Sequence, residues 1–449
     1  MIKKENYTWN NWAGNQSCLS ENYFEPETEE QIIEIVRFSE KNKKKIRVVG
    51  SGHSFSPIAI SNEILISLKN YRKLISVNKD IIVCQGGMYL YELYNIMLLN
   101  RLSFPNFGVI NKQTVAGAIA TGTHGSSLMH KSLSSQIEKL RIITATGDPI
   151  EIASETKWKI DDQEFNLWEA ASLSLGSFGI VTEVTLKCDP LFYVKSEESV
   201  IDFDDFLKSM DDYAKYYEYF KAWWFPHTDK VYLFKAERIE EEQYRKKDQW
   251  IKYTEEQKKR DIEIDRLTTP LFIKSNHDPS LIPQINSYCL EYFFTPRTRI
   301  GNCFEILVHD ETVPMVVSEY GLSMSDNNHK KALKEFRDVL EQSKYKLHFP
   351  VDLRYTHAEN SYLSPAYKQN TFYIGVCIRE YREEKIHPSM QLFFDVMNKY
   401  TARPNWGKLS DLSKTASEEK FPGMESFQKL RDTVDPERIF LNAFLENIF

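Results

Sequence analysis

The chain has 449 residues, more than one hydrophobic core usually fills, so two closely packed domains are expected. Its 42% hydrophobic and 13% aromatic content is that of an ordinary globular protein, and a formal charge of -7 gives no broad attraction to nucleic acid or anionic membrane. Nothing reads as a membrane span of about 18 apolar residues, residues 1–11 are too polar for a secretory signal, and the six scattered cysteines offer neither a zinc site nor a disulfide framework. A reducing cytoplasm is the expected compartment.

Residues 1–25, with Trp9, Trp12 and Gly14, read as an ordered arm. Over 28–45, Ile32, Ile33, Ile35, Val36 and Phe38 mark one face of a helix whose other face is charged. Ile46–Val49 follows as a strand, ended by Gly50-Ser51-Gly52-His53-Ser54. Short strands are expected at 64–68 and 81–84, a break at Gly86-Gly87 and a helix over 90–100. Residues 114–125 mix small side chains and glycines, and 137–145 and 180–187 are β-branched strand candidates. This alternation of strand, glycine and helix predicts an α+β or α/β arrangement up to a boundary near residue 190. Beyond it come a helix over 203–219, an aromatic strand over 219–225 and a charged stretch over 237–266, read as a solvated helix. Strands are then expected around 305–308, 351–355 and 372–379, with helices near 330–342 and 388–400.

Three sets of residues stand out as candidate chemistry. In the first, Gly50 and Gly52 allow close backbone approach, and successive N–H groups in such a turn cradle anions. Pro57 and Phe55 disfavour the helix that a nicotinamide-type fingerprint would need next. The second runs from Ala116 to Ser126, where small residues permit either tight packing or contact between a flat ligand and the backbone. Two further glycine breaks, at Gly86-Gly87 and Gly176-Ser177-Phe178-Gly179, favour a long ligand such as a dinucleotide. In the third, Asp352 and Arg354 lie two apart on a strand and share a face, with Lys408 in the segment Arg403-Pro404-Asn405-Trp406-Gly407-Lys408. No P-loop, H-E-x-x-H, EF-hand loop or G-x-S-x-G elbow is present. On residues alone the reading stops at two domains and a dinucleotide-like ligand.

The run Val48-Val49-Gly50-Ser51-Gly52-His53-Ser54-Phe55, then Val115-Ala116-Gly117 through Thr121-Gly122-Thr123-His124-Gly125, resembles the vanillyl-alcohol-oxidase superfamily. Within it the chain is most similar to the aldonolactone oxidase group, which takes in the gulonolactone, arabinonolactone and alditol oxidases. The likeness extends over Asn11-Trp12-Ala13-Gly14, Trp223-Trp224-Phe225-Pro226, Leu363-Ser364-Pro365, residues 403–408, Asp435-Pro436 and Phe440-Leu441-Asn442.

The resemblance implies an α+β fold. It predicts a PCMH-type FAD-binding domain of two subdomains over 1–190 and a cap domain, an antiparallel sheet flanked by helices, over 191–420. Residues 421–449 are expected to return to the FAD domain. FAD would be held by Val48, Val49, Gly50, Ser51, Gly52, His53, Ser54, Thr114, Gly117, Gly122, His124, Gly125, Ser126 and Ile180, with a covalent bond from His53 to the flavin 8α carbon. The family's Glu-x-Arg strand falls on Asp352 and Arg354, and its His-Trp-Gly-Lys segment on Asn405 to Lys408, so Asp352, Arg354 and Lys408 are the expected catalytic residues. The implied reaction is hydride transfer from a carbinol of a sugar lactone or polyol to flavin N5, with O2 reduced to H2O2. The alternatives are a dehydrogenase with another electron acceptor and a non-catalytic flavin protein. Two positions depart from the pattern: Asp352 is one methylene shorter than the usual Glu, and Asn405 replaces a titratable His.

Overall fold

The computed structural model describes residues 1–245, 249–309, 315–378 and 387–449. The N-terminal arm is a β-hairpin, Ile2–Asn10 against Ser17–Glu25, reversed where Asn11 N–H donates to Gln16 O at 3.0 Å. Ser17–Glu25 pairs in parallel with Ile64–Ser67, which pairs in parallel with Ile46–Val49 to complete a four-stranded sheet. The connecting helix, Glu29–Asn42, starts where Thr28 Oγ1 accepts from Gln31 N–H at 3.4 Å and ends with Lys43 in the left-handed region. Its buried face carries Ile32, Ile35 and Val36, the periodicity expected from the sequence.

A second, five-stranded sheet is antiparallel throughout, in the order Leu74–Asn78, Ile81–Gln85, Ile180–Lys187, Ile137–Ile143, Pro149–Ala153. Leu90–Leu99 packs on it through Leu90, Leu93 and Met97, and Val115–Ala120 through Val115 and Ile119.

The third sheet has eight strands, also antiparallel, in the order Arg297–Asn302, Tyr193–Asp202, Lys230–Ile239, Tyr219–Phe225, Val351–Thr356, Thr371–Ile378, Val316–Ser323, Arg403–Pro404. One face is covered by helices Phe203–Tyr216, Asn328–Gln342 and Pro388–Lys399, and receives Phe220, Ala222, Trp224, Leu353, Tyr355, Tyr320 and Leu322. The pleat sends every second residue the other way. Tyr219, Lys221, Asp352, Arg354 and Glu319 therefore share the opposite face, where Tyr219 and Phe234 join the hydrophobic core of the five-stranded sheet. Burial of both faces explains why Tyr219–Phe225 and Thr371–Ile378 read as nearly continuous apolar runs.

One expectation needs correction. Residues 305–308 were expected as a strand but lie largely within the short helix Cys303–Leu307. Asn302 Oδ1 accepts from Phe304 and Glu305 N–H while the Glu305 carboxylate accepts from Asn302 N–H at 2.9 Å, a capping box strong enough to start a helix in a β-prone segment. The ordered arm expected over 1–25 is this β-hairpin, whose pairing supplies the backbone partners. The charged stretch continues the strand to Ile239 and then forms helices Glu241–Arg245 and Gln249–His277. Residues 246–248 of that stretch, and Arg379 at the expected end of a strand, lie outside the described residues. Among the described residues no helix is long and apolar enough to cross a membrane, and none of the six buried cysteines forms a disulfide.

The C-terminal residues come back to the first sheet. Ile46 N–H donates to Ile439 O at 2.7 Å, and Asn442 Nδ2 donates to Pro57 O and Ile60 O, both at 2.8 Å.

Candidate active site

Between the two N-terminal sheets lies a cleft of about 900 Å³, counting space open to solvent. Its walls come from the loop after Ile46–Val49, the turn into Val115–Ala120 and the segment before Ile180–Lys187. Val48, Val49, Gly50, Ser51, Gly52, His53, Ser54, Thr114, Gly117 and Ile180 all line it. Gly50 is required by contact: a β-carbon there would sit 2.3 Å from Thr114 Oγ1, the atom that caps Val115–Ala120. Gly52 is required by conformation, with φ at 74°, and its carbonyl accepts from Trp12 N–H at 2.9 Å. The Trp12 ring packs on that of His53 with centroids 4.9 Å apart. Backbone amides brought close on two glycine-bearing loops, with no side chain filling the space between them, suit a dinucleotide.

The His53 ring faces this cleft. Burial, then the positive charges of Lys408 and Lys112, pull its pKa down to about 4, so the imidazole is neutral near pH 7 and keeps a lone pair on one nitrogen.

The remaining expected cofactor residues lie away from the cleft wall. Gly122 packs against Leu173. His124 is buried, its ring stacked on Tyr373 with centroids 4.1 Å apart and its Nε2 3.2 Å from Glu319 Oε2. Gly125 and Ser126 line a smaller inner cavity shared with Arg354, where Ser126 Oγ donates to Phe220 O and accepts from Tyr355 N–H at 3.1 Å.

Asp352 and Arg354 share a face, as expected, and form an ion pair through Arg354 Nη2 and Asp352 Oδ2. Lys408 reaches the site differently. Phe55 N–H donates to Gly407 O at 2.8 Å and Ser56 Oγ to Trp406 O at 2.6 Å, so the segment carrying Lys408 is tied to the loop that carries His53. Lys408 Nζ lies 5.0 Å from the centroid of the Phe55 ring.

Glu319 was missed by the sequence reading. It is buried on the inner face of its strand and accepts from Asn405 Nδ2 at 2.9 Å as well as contacting His124. Burial by itself would raise its pKa, but the charges of His124, Arg354 and Lys408 outweigh that and hold the carboxyl well below the usual range. One ionised carboxylate is thus within the electrostatic reach of both expected catalytic cations. Asn405 still holds the local geometry in place of a His, since Nδ2 donates to Glu319 while Oδ1 accepts from Gly407 N–H at 3.1 Å, fixing the turn ahead of Lys408. The titratable ring beside this carboxylate is His124. A lone charge in a β-branched and aromatic run was the only signal available for Glu319, and also for Lys221 in Tyr219–Phe225. Among the described residues no group of three or more His, Cys, Asp or Glu is placed to hold a metal.

A family model described as D-arabinono-1,4-lactone oxidase matches residues 184–448, and one described as FAD binding domain matches residues 20–153. The chain belongs to the D-arabinono-1,4-lactone oxidase family. It is thereby a flavoprotein oxidoreductase of the aldonolactone oxidase group in the vanillyl-alcohol-oxidase superfamily, with FAD as its cofactor. An L-gulonolactone oxidase from Scyliorhinus torazame is 30% identical over 99% of this chain and 98% of its own length. An L-gulono-1,4-lactone dehydrogenase from Mycobacterium tuberculosis is 26% identical over 98% of each chain. A D-arabinono-1,4-lactone oxidase from Candida glabrata is 26% identical over 98% of this chain and 95% of the relative. Among solved structures, cholesterol oxidase from B. sterolicum superposes with a TM-score of 0.76 at 13% identity, covering 100% of this chain and 97% of that one. The shared fold is the expected α+β arrangement of an FAD-binding domain and an antiparallel sheet domain.

Proposed function

We propose that this family member oxidises a secondary alcohol of an aldonolactone to the ketone, passing the two electrons and two hydrogens to O2 as H2O2, and that His53 carries the flavin covalently. The observation that carries the proposal is that the segment of Lys408, bonded through Asn405 to the buried carboxylate of Glu319, is tied to the loop of His53. Bound FAD supplies the two-electron acceptor. The chain supplies the electrostatics. Arg354 and Lys408 favour negative charge on the substrate hydroxyl as its proton leaves, in a site largely withdrawn from water. Asp352 fixes the direction of Arg354, and Glu319 with Asn405 fixes the turn that presents Lys408. A neutral His53 ring at the cleft wall is the form of imidazole able to bond to carbon.

Relatives named for gulono- and arabinonolactone support a lactone over an alditol. The test is a panel of L-gulono-, L-galactono- and D-arabinono-1,4-lactone with xylitol and sorbitol, reading peroxide and flavin bleaching together. Bleaching with a lactone and release of peroxide are expected; no response from any of them with FAD bound would remove the proposal. A relative named as a dehydrogenase supports a second reading, in which O2 is a poor acceptor. Substrate-reduced protein mixed with O2 in a stopped-flow instrument separates the two, since rapid reoxidation belongs only to the oxidase.

A further inference from the structure

The inner cavity, about 320 Å³ counting space open to solvent, is walled by Phe107, Tyr219, Phe220 and Phe234, and two cations line it, Arg354 and Lys221. Strand register puts them together. Ala222 pairs with Leu353 and Trp223 with Asp352, so one step further sets Lys221 opposite Arg354 on the same face. Like charges directly across a sheet repel, and here they do so out of water, because Lys221 is only 6% exposed.

The nearby carboxylates are already engaged by other groups. Arg354 already pairs with Asp352. The other carboxylate of the group, Glu198, is held by Arg297 Nε at 2.5 Å, by Arg299 Nη2 at 2.5 Å and by the Tyr232 hydroxyl. Lys221 Nζ donates to His309 Nε2 at 3.2 Å and lies 4.8 Å from the ring centroids of Trp223 and Phe234. His309 offers only a neutral lone pair, since burial and then Lys221, Arg299, Arg297 and Arg354 push its pKa far down. Among the described residues no carboxylate forms a salt bridge with Lys221. Burial, then Arg354, pulls the amine down to about 7. The charged side chains that line the cavity are therefore both cations, beside the neutral polar groups of Asn106, Ser126 and Tyr219.

That one-sidedness selects a ligand. Each hydroxyl of an alditol brings a hydrogen that needs an acceptor, and Arg354 with a protonated Lys221 provides none. An oxidised terminal carbon brings two oxygens with no hydrogen at all. We infer that Lys221 is a specificity-determining residue which, with Arg354, grips the two hydrogen-free oxygens of a sugar acid's terminal carbon and so disfavours alditols. Those oxygens belong to the lactone ring and carbonyl or to the carboxylate of the opened aldonate. The inference rests on reading the Arg354 cavity as the substrate site.

The experiment titrates flavin-loaded protein by calorimetry with L-gulono-1,4-lactone, sodium L-gulonate and xylitol, in wild type, Lys221→Met and Lys221→Arg. Loss of a charged hydrogen bond predicts that Lys221→Met weakens the lactone, the gulonate or both by about tenfold or more, while xylitol changes by less than about twofold. Lys221→Arg should recover most of the loss. Weakening confined to the lactone identifies the closed ring as the ligand form, and weakening confined to gulonate the open acid. Thermal melting separates recognition from a structural role: removing an uncompensated buried cation should leave Tm unchanged or raise it. Equal weakening of all three sugars, no weakening of either acid form, a lowered Tm with unchanged affinities, or a wild type that binds none of them would each overturn the inference. Tight lactone binding without turnover would instead fall on the proposed activity and leave Lys221 standing.

Discussion

At the scale of single residues, His53 and Glu319 are opposites: a base kept neutral and an acid kept ionised, each by its surroundings. For His53 the folded pKa of about 4 lies below the ordinary 6.5. Between those values the unfolded chain binds a proton that the folded chain does not, so stability is full above pH 6.5 and declines as pH falls towards 4. His53→Ala should flatten that decline in flavin-free protein, an effect of order 3 kcal/mol at most, measurable by urea unfolding at a series of pH values. The same variant should release its flavin on acid precipitation while wild type stays yellow; a still-covalent flavin in His53→Ala would assign the link elsewhere. For Glu319 the informative change is Glu319→Gln, which keeps the shape and removes the charge that Arg354 and Lys408 help to hold ionised. We expect kcat to fall by about ten- to a hundredfold with a smaller change in KM and unchanged flavin content, measured on the best lactone of the panel. An unaltered kcat would leave Glu319 a purely structural acceptor for His124 and Asn405.

At the scale of elements, what the sequence made legible was local. Ile180–Lys187 carries its own β-branched pattern, Glu29–Asn42 its helical stripe, and the glycine loop at 50–54 its own backbone demands, so each could be read without knowing its partners. Cys303–Leu307 was misread because a strand-like composition competed with the Asn302–Glu305 capping box, and the cap prevailed. The pairing of Asp352 with Arg354 was legible because period-two geometry joins residues two apart. Glu319 and Lys221 were not, since their meaning depends on neighbours brought from distant strands: Glu319 meets His124 and Asn405, 195 and 86 positions away, and Lys221 meets His309, 88 away. One clue could have been used. In a sheet buried on both faces, a solitary charge within a run such as Tyr-Phe-Lys-Ala-Trp-Trp-Phe has no solvent to turn to and must meet a partner or a ligand.

At the scale of the whole molecule, Arg47 joins parts that the linear chain keeps far apart. From the strand beneath the cleft its guanidinium donates to Ile58 O at 2.8 Å, Leu175 O at 2.6 Å, Gly176 O at 3.2 Å and Phe440 O at 2.5 Å. Burial lowers its pKa only to about 10, so it stays charged at neutral pH. Arg47→Met would fill the volume but leave those carbonyls without their donor, costing about 3–5 kcal/mol. A lower Tm and partial loss of FAD after gel filtration are expected; a variant with wild-type melting and full flavin would show that the clamp is dispensable.

The return of Ile439 and Phe440 to the strand ahead of the glycine loop also bears on the order in which contacts form during folding. Nearly four hundred positions separate Ile46 from Ile439, so this edge of the first sheet gains its partner only when distant parts of the chain have met. Contacts this remote close last and slowly. The bond between these distant residues thus acts as a latch on the strand that leads into the glycine loop.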